Sequence, residues 1–238
     1  MVNAWVPLGA ALLAFHEGDH QAEILVSSDY FADERVAARS YYRPDDEVLP
    51  ELEIHALRRC HDRVLDLGAG AGRHALELQG KGHNVLALDV AEDAVKVMRC
   101  RGVRDARLGR HSDLVGETFD TVLMLMNGIG LAGDLRGLRD LLTELRPLLA
   151  PGGQILCDSA DLGDAFDPEA MRSLVGLKRR SGYPGEVTFR LSFGRLEGAT
   201  YPWLFVDWRK LSLYASEQNL VCEVLAHGSR GSYLARLS

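Results

Sequence analysis

One stretch of sequence, Val64–Leu76, most restricts the folds that this chain can adopt. It begins with a short, mostly apolar run, too short for a helix, which indicates a buried β-strand. Gly68, Gly70 and Gly72 then alternate with alanines, and a helical pattern begins at Arg73. A strand, a glycine-rich turn and a helix in this order let the backbone approach a nucleotide-like ligand, because glycine adopts positive φ and carries no Cβ. The stretch therefore predicts a ligand-binding turn at the end of a strand.

Strands and helices alternate through the middle of the chain. Predicted strands cover Val64–Leu67, Val85–Leu88, Arg107–Leu108, Thr121–Met126 and Gln154–Cys157, with helices at Arg73–Lys81, Glu92–Arg101 and Leu135–Leu149. A further helix, Asp207–Gln218, precedes a predicted hairpin of Leu220–Leu225 and Tyr233–Leu237. This rhythm predicts an α/β fold with a doubly wound, mostly parallel, seven-stranded sheet that ends in an antiparallel hairpin.

Two regions lie outside this rhythm, within what we expect to be a single domain over residues 1–238. Residues 1–60 are predicted to form an N-terminal cap, with helices at Pro7–Glu17 and Pro50–Arg59, a strand at Ala22–Val26 and a loop at Tyr30–Pro44. Residues 160–206 are predicted to be an insertion with an extra hairpin near the substrate side. It would contain a helix near Glu169–Lys178 and paired strands at Glu186–Phe193 and Tyr201–Val206.

Composition excludes several classes of function. The net charge of −7 makes nucleic acid an unlikely partner, because a negatively charged chain is repelled by phosphates. The four cysteines are far apart and form no C-x-x-C pair, so we predict no metal site and a reducing, cytoplasmic location. The apolar run Val6–Phe15 is too short to span a bilayer, and we expect an amphipathic helix packed on the domain, with no membrane partner.

The glycine turn departs from the dinucleotide-binding pattern G-x-G-x-x-G. Arg73 stands where the third glycine would be, and Asp66 lies two residues before the first one. Together with Leu86–Val90, Phe119–Asn127 and Pro151–Asp158, the stretch resembles the motifs of class I S-adenosylmethionine (SAM) methyltransferases. The resemblance covers residues 60–160 and, loosely, the terminal hairpin. It implies SAM as the cofactor.

The resemblance also implies where the methionine end of SAM would lie. It would be lined by the residues of the glycine turn and the acid before it: Asp66, Gly68, Ala69, Gly70 and Gly72. Asp66 would orient the ammonium group, directly or through water, or would accept hydrogen bonds from the amides of the turn.

The remaining cofactor contacts are expected at the ends of the next strands. Asp89 suits a carboxylate that accepts hydrogen bonds from two ribose hydroxyls, and the alternative is a turn or helix-capping aspartate. By resemblance, Val90 would pack on adenine, and Met126 and Asn127 would lie near the methyl donor.

Adenine recognition is where this sequence departs from the family. Family members often have an acid after the third strand, whereas Gly109-Arg110-His111 stands there in this chain. An arginine accepts no hydrogen bond, so Asp113 or a backbone carbonyl is expected to bind the adenine amino group.

Aromatic residues precede the glycine stretch, at Tyr30, Phe31, Tyr41 and Tyr42. By resemblance they would form a lid over SAM, where ring faces attract the sulfonium, and Tyr42 is included among the cofactor residues. The alternative is that they pack the cap onto the sheet. Tyr201, Trp203 and Trp208 present the same choice between an acceptor pocket and packing of the extra hairpin.

The basic residues concentrate in one cluster formed by Arg99, Arg101, Arg104, Arg107 and Arg110. The cluster would steer an acidic substrate or RNA, or it would pair with helix ends at a solvated edge. The second interpretation needs no ligand and is the one we favour.

The prediction for function is SAM-dependent methyl transfer to a small-molecule acceptor, because the cap, insertion and hairpin would enclose a modest molecule. Alignment and exclusion of water are the main demands of this chemistry, and a base is required only if the acceptor loses a proton. His74, His111, Asp158 and the tyrosines are candidate bases, and no catalytic residue is assigned. The alternatives are a non-catalytic SAM-binding protein and a nicotinamide-dependent oxidoreductase. The acceptor atom and the oligomeric state are left open.

Overall fold

The computed structural model describes residues 3–42, 49–165 and 182–238. The N-terminal region contains α1 (Val6–His16), β1 (Glu23–Ser28), β2 (Glu34–Ala37) and α2 (Glu51–Leu57). The predicted helices and first strand are confirmed, but the predicted loop at Tyr30–Pro44 is wrong in part, since it contains β2 and a short helical turn, Ala38–Tyr41. β2 has four residues, two of them charged, and it is a strand because it pairs with β1 rather than because of its own apolar pattern.

The predicted alternation of strands and helices is confirmed. It consists of β3 (Arg63–Leu67), α3 (Arg73–Gly80), β4 (Asn84–Asp89), α4 (Glu92–Cys100), β5 (Asp105–Leu108), β6 (Phe119–Met124), α5 (Leu135–Leu145), β7 (Leu149–Ala160) and α6 (Leu162–Ala165). β3 and β4 each bury four consecutive positions, as parallel strands covered on both faces do. α5 begins where Asp134 caps it, because the Asp134 carboxylate accepts a hydrogen bond from the Gly137 N–H at 2.6 Å.

Two strand boundaries differ from the prediction. β6 ends at Met124, because Met126 and Asn127 have positive φ values of 63° and 57°, which a strand does not accommodate. β7 begins at Leu149 and so includes Pro151–Gly153, which had been expected to precede it. The register between β6 and β7 shifts between Phe119 and Thr121, and this bulge accommodates the Pro-Gly-Gly segment within the strand.

The C-terminal part contains β8 (Glu186–Phe193), β9 (Leu196–Glu197), β10 (Tyr201–Leu204), α7 (Trp208–Ser216), β11 (Cys222–His227) and β12 (Ser232–Leu237). The paired strands, the last helix and the terminal hairpin are therefore confirmed. The helix predicted near Glu169–Lys178 lies outside the described residues.

The strands form two sheets among the described residues. The larger is seven-stranded, in the order β11-β12-β7-β6-β3-β4-β5. β3, β4 and β5 pair in parallel, as do β6 and β7, whereas β12 pairs antiparallel with both β7 and β11. This confirms the predicted doubly wound, mostly parallel sheet with its closing hairpin, which is a Rossmann-like fold. The second sheet has the order β10-β8-β1-β2, with β9 on β8, so a strand of the predicted cap pairs with a strand of the predicted insertion.

The chain divides into two compact units. The first unit comprises Met1–Leu49, Cys60–Val115 and Thr188–Tyr201, and the second comprises Pro50–Arg59, Gly116–Val187 and Pro202–Ser238. The glycine turn and Asp89 belong to the first unit, and the end of β6 belongs to the second.

In the first unit, α1 is buried on two sides. Leu12 packs with alanines of α4 and of the glycine turn, whereas Ala11 packs with Ile24 and Leu191 of the second sheet. The expected amphipathic helix is therefore wrong, because two apolar faces are needed where a helix lies between two neighbours. Within the described ranges, no helix combines the length and the apolarity needed to cross a membrane.

Gly72 begins α3 with φ of 76°, and a Cβ there would lie 2.9 Å from Val103 Cγ2 and 3.0 Å from Met98 Cγ. Gly82 also has positive φ, but a Cβ there would meet nothing within 4 Å. Replacement by alanine strains the backbone at both positions, by about 1–2 kcal/mol. We predict that Gly72→Ala lowers the free energy of unfolding by about 1–3 kcal/mol more than Gly82→Ala, because only Gly72 is overpacked. Urea denaturation measures both, and equal losses would contradict the prediction.

Candidate functional site

The glycine turn is attached through its backbone to the end of β4. Gly68, Gly70 and Gly72 have φ values of 77°, 55° and 76°, a region that glycine enters without strain. The N–H groups of Gly68 and Ala69 both donate to the carbonyl of Leu88, at 2.9 and 3.1 Å. The turn is therefore a defined structure that begins where β3 ends and rests on the neighbouring strand.

Gly70 and Gly72 are required for different reasons. A Cβ at Gly72 would collide with Met98 and Val103, so that glycine lets α3 begin close to α4. A Cβ at Gly70 would meet nothing within 4 Å. The Gly70 backbone thus borders open space, as expected of a glycine that leaves room for a ligand.

Asp89 lies at the end of β4 and holds the glycine turn. Its Oδ2 accepts a hydrogen bond from the Gly70 N–H and its Oδ1 accepts one from the Ala91 N–H, both at 2.8 Å. The alternative of a turn aspartate is therefore observed. A carboxylate accepts about four hydrogen bonds, so Asp89 keeps some acceptor capacity for the ribose. Burial raises the pKa of Asp89 above its usual range, although hydrogen bonds from the backbone of Ala91, Gly70 and Val90 act in the opposite direction.

Asp66 and Val90 flank these elements. Asp66 is a buried residue of β3, only 2% exposed, and pairs in parallel register with Ala87. Val90 follows Asp89 directly and is half-buried. Their expected contacts with the ammonium group and the adenine ring stay predictions.

Asp113 is held beside the end of β5 by the segment that departs from the family pattern. Its Oδ2 accepts a hydrogen bond from the Arg110 N–H at 2.8 Å, so Arg110 contributes its backbone donor. A Cβ at Gly109 would lie 2.9 Å from the same oxygen, which explains the glycine there. Leu108, which the sequence analysis did not single out, pairs with Asp89 in parallel register and is 53% exposed. The signal available in the sequence was an apolar residue at the end of a predicted strand, where the ligand of a parallel sheet lies.

Tyr42 packs inside the first unit. Its hydroxyl donates to the Leu12 carbonyl at 2.6 Å, and its ring centroid lies 4.7 Å from that of Phe15 and 4.5 Å from the Arg101 guanidinium. Burial raises the pKa of Tyr42 to about 12, so its hydroxyl is protonated at neutral pH. Tyr42 belongs to the same apolar cluster as Ala71 of the glycine turn, so it packs residues of the predicted cap onto the turn.

Three other aromatic residues named in the sequence analysis also make packing contacts. The Tyr30 and Phe31 ring centroids lie 4.8 Å apart, and Phe31 stacks on Phe189 at 6.3 Å. Tyr201 lies 4.6 Å from Trp5.

In the second unit, the end of β6 is fixed in a strained conformation. Met126 and Asn127 are consecutive non-glycine residues with positive φ, an arrangement that is uncommon and often found at functional sites. The Asn127 Nδ2 donates to the Leu204 carbonyl at 3.2 Å, and its Oδ1 accepts from the Ser159 hydroxyl at 3.1 Å. Asn127 therefore positions the strand end through its side chain, and its proximity to the methyl donor stays a prediction.

The candidate bases are placed differently. His74 is buried in α3, His111 lies in the turn before Asp113, and Asp158 Oδ1 accepts a hydrogen bond from the Gly128 N–H at 3.2 Å. Burial raises the pKa of the Cys60 thiol to about 12 and of the Cys222 thiol to about 11. These two thiols are therefore protonated near neutral pH and are poor nucleophiles.

Comparison with known proteins decides what this arrangement belongs to. A family model described as a methyltransferase domain matches residues 64–153. The crystal structure of a SAM-dependent methyltransferase from Bacteroides fragilis in complex with S-adenosyl-L-homocysteine is 34% identical, with a TM-score of 0.87, and the match covers 100% of this chain and 96% of that chain. The chain belongs to the class I SAM-dependent methyltransferase family.

More distant structures show the same fold. The CcbJ methyltransferase from Streptomyces caelestis is 17% identical, with a TM-score of 0.60 over 82% of this chain and 92% of that chain. The PH0226 protein from Pyrococcus horikoshii OT3 is 19% identical, with a TM-score of 0.57 over 79% of this chain and 87% of that chain. A comparison with curated proteins gave no match. The methyltransferase is thus an enzyme that uses SAM, and the matches support neither the oxidoreductase nor the non-catalytic alternative.

We predict that Gly70→Ala impairs cofactor binding beyond its effect on stability. Gly70 and Gly82 both have positive φ and open space at the Cβ position, so the two alanine variants should lose similar stability. Only Gly70→Ala places a methyl group on the surface expected to face the cofactor. Calorimetric titration with S-adenosylhomocysteine (SAH) should show an affinity at least about 10-fold weaker for Gly70→Ala than for Gly82→Ala. Equal affinities would place the cofactor away from Gly70.

The raised pKa of Asp89 predicts a pH dependence of SAH binding. The ionised carboxylate accepts hydrogen bonds at both oxygens, and protonation removes part of that capacity. Because the pKa of Asp89 is above its ordinary value of 3.8, this loss begins at a higher pH than for an exposed aspartate. Its effect on folding has the opposite sign, since a carboxyl with a raised pKa in the folded state stabilises the fold at low pH and loses that contribution as pH rises.

SAH affinity should therefore fall on acidification, starting at a higher pH than the titration of an exposed aspartate would give, and Asp89→Asn should bind more weakly with a flatter profile. Asp140→Ala, at an exposed position of α5, is the matched control and should keep the wild-type profile. An equally steep profile in Asp89→Asn would assign the titration to another group.

Proposed function

We propose that this methyltransferase transfers a methyl group from SAM to a small-molecule acceptor, with SAM held in the first unit against the glycine turn and Asp89. The observation that carries this proposal is the joint geometry of Gly70 and Asp89. One glycine leaves open space beside its backbone while its N–H is fixed on a carboxylate that keeps further acceptor capacity. SAM needs both features, because its nucleoside carries a diol and its sulfur carries an extended amino-acid chain.

The chain offers a group for each part of the cofactor. The methionine end would lie along the turn, at Asp66, Gly68, Ala69, Gly70 and Gly72. The ribose diol would donate to Asp89, in the bidentate manner that suits a carboxylate. Val90 and the exposed Leu108 would provide apolar surface for adenine, and the oxygen of Asp113 that does not face Arg110 would accept from the adenine amino group.

These residues act by alignment. When bound, SAM supplies a methyl group already activated by its sulfonium. The backbone of the glycine turn and Asp89 would hold the cofactor in one orientation, because both are fixed by hydrogen bonds within the fold. Positioning of this kind contributes up to about 7–11 kcal/mol to lowering a barrier. In the second unit, the Asn127 side chain holds the end of β6 through Leu204 and Ser159.

The contacts of the basic cluster favour a small acceptor over a nucleic acid. Within the basic cluster, the Arg99 guanidinium donates to the Ala106 carbonyl, the Arg101 guanidinium donates to the Ala71 carbonyl, and Arg107 forms an ion pair with Asp105 at 2.7 Å. The guanidinium groups of these three arginines all contact other groups of the protein. This favours the interpretation that the cluster has a structural role and needs no ligand. With a net charge of −7, the chain is also a poor match for a polyanion.

The test is turnover of SAM carrying a labelled methyl group with a panel of small acceptors and, separately, with RNA and DNA. We expect label in a small-molecule product and none in nucleic acid. Asp89→Ala should abolish measurable SAH binding and turnover, whereas Asp140→Ala should retain both. Label in nucleic acid alone would overturn the small-molecule proposal, and full SAH affinity in Asp89→Ala would overturn the proposed cofactor site.

A further inference from the structure

Arg101 lies just after α4, at its C-cap, and makes two contacts that bear on the glycine turn. Its Nη1 donates to the carbonyl of Ala71, the residue between Gly70 and Gly72. Its guanidinium also stacks over the Tyr42 ring, with 4.5 Å between Cζ and the ring centroid. The Arg101 guanidinium therefore contacts both the glycine turn and Tyr42, which lies in the segment of residues 38–42 that we call the N-terminal segment.

The Ala71 carbonyl is buried and requires a hydrogen-bond donor from the protein. Ala71 is 1% exposed, so its carbonyl group is removed from water and benefits from a donor inside the protein. A hydrogen bond from a charged donor is about twice as strong as a neutral one. Arg101 thus restrains the middle of the turn at the point where the Gly70 N–H is already bound to Asp89.

The N-terminal segment reinforces this restraint. The Tyr42 hydroxyl donates to the Leu12 carbonyl of α1 at 2.6 Å, so the ring under the guanidinium is itself fixed. Arg73, in the place of the third glycine, donates from Nη1 to the Ser40 carbonyl at 2.7 Å. Arg73 and Arg101 therefore both link the region of the glycine turn to the N-terminal segment, through Ser40 and Tyr42.

We infer that Arg101 is a positioning residue of the cofactor site: through the Ala71 carbonyl and the Tyr42 ring it holds the glycine turn in the conformation that receives the methionine end of SAM. The inference rests on the proposed placement of that end at the turn. Its consequence is selective, since loss of Arg101 affects recognition of the amino-acid chain more than recognition of the nucleoside.

The matched control is Arg99, on the last turn of α4. Its Nε and Nη2 donate to the Ala106 carbonyl at 3.2 and 2.9 Å. It makes the same kind of bond as Arg101, from guanidinium to backbone carbonyl, but to β5 rather than to the turn. Arg99→Ala therefore reports what is lost when such a bond has only a structural role.

The experiment compares two probes by calorimetry, SAH and 5′-methylthioadenosine, which lacks the amino-acid chain. Arg101→Ala should lower SAH affinity by about 10-fold or more and methylthioadenosine affinity by less than about 3-fold. Arg99→Ala should leave the ratio of the two affinities at its wild-type value. Wild-type SAH affinity in Arg101→Ala, or equal losses for both probes, would overturn the inference.

A second variant covers the case in which Arg101→Ala does not fold, as judged by circular dichroism. Arg101→Lys keeps the charge but loses the planar group that stacks on Tyr42, so it should show a smaller loss that is again larger for SAH. No selective loss in this variant would overturn the inference. Wild-type protein that binds no SAH would overturn the proposed cofactor site, whereas SAH binding that ignores Arg101 would overturn this inference alone.

Discussion

The hydrogen bonds between the glycine turn and the end of β4 are the interaction on which the candidate site depends. They join two backbone donors to the Leu88 carbonyl and the Gly70 donor to the Asp89 carboxylate. A turn with three glycines at positive φ is conformationally free in the unfolded chain and loses much entropy when ordered. Because these bonds and the burial of Asp89 restrain it, the turn presents one backbone conformation to a ligand. The same residues thus link fold stability and cofactor recognition.

Close packing around this turn explains why so many small residues surround it. α1 approaches α4 at Gly9, where a Cβ would lie 3.3 Å from the Cβ of Asp93, and alanines of α4 fill the rest of the contact. Gly72 brings the start of α3 against Met98. Larger side chains at these positions would separate the helices from the turn. The N-terminal helix is therefore part of the first unit's core, and its two apolar faces follow from that position.

Particular elements show how far sequence patterns carry. Buried apolar runs predicted β3, β4 and β6 because parallel strands covered on both faces need continuous apolar residues. α5 and α7 begin after Asp134 and Asp207, whose carboxylates cap them, and such helix starts can be predicted because the geometry of an N-cap is local. β2 was missed, since its charged residues carry no strand pattern and its conformation depends on pairing with β1. The pairing of β1 with β8 was likewise not predicted, because Val26 and Leu191 are far apart in sequence and neither strand specifies its partner.

The sequence by itself determined the class of fold, the family resemblance and the place of the glycine turn, because periodicity, glycine spacing and the acid before the turn are local features. Tertiary structure decided what the individual residues do. It showed that Gly70 borders open space while Gly72 serves packing, that the Asn127 side chain is engaged by Leu204 and Ser159, and that Arg101 reaches the Ala71 carbonyl. Each of these roles depends on contacts between residues brought together only by folding. The glycines look alike in the sequence, and their neighbours in space make them different.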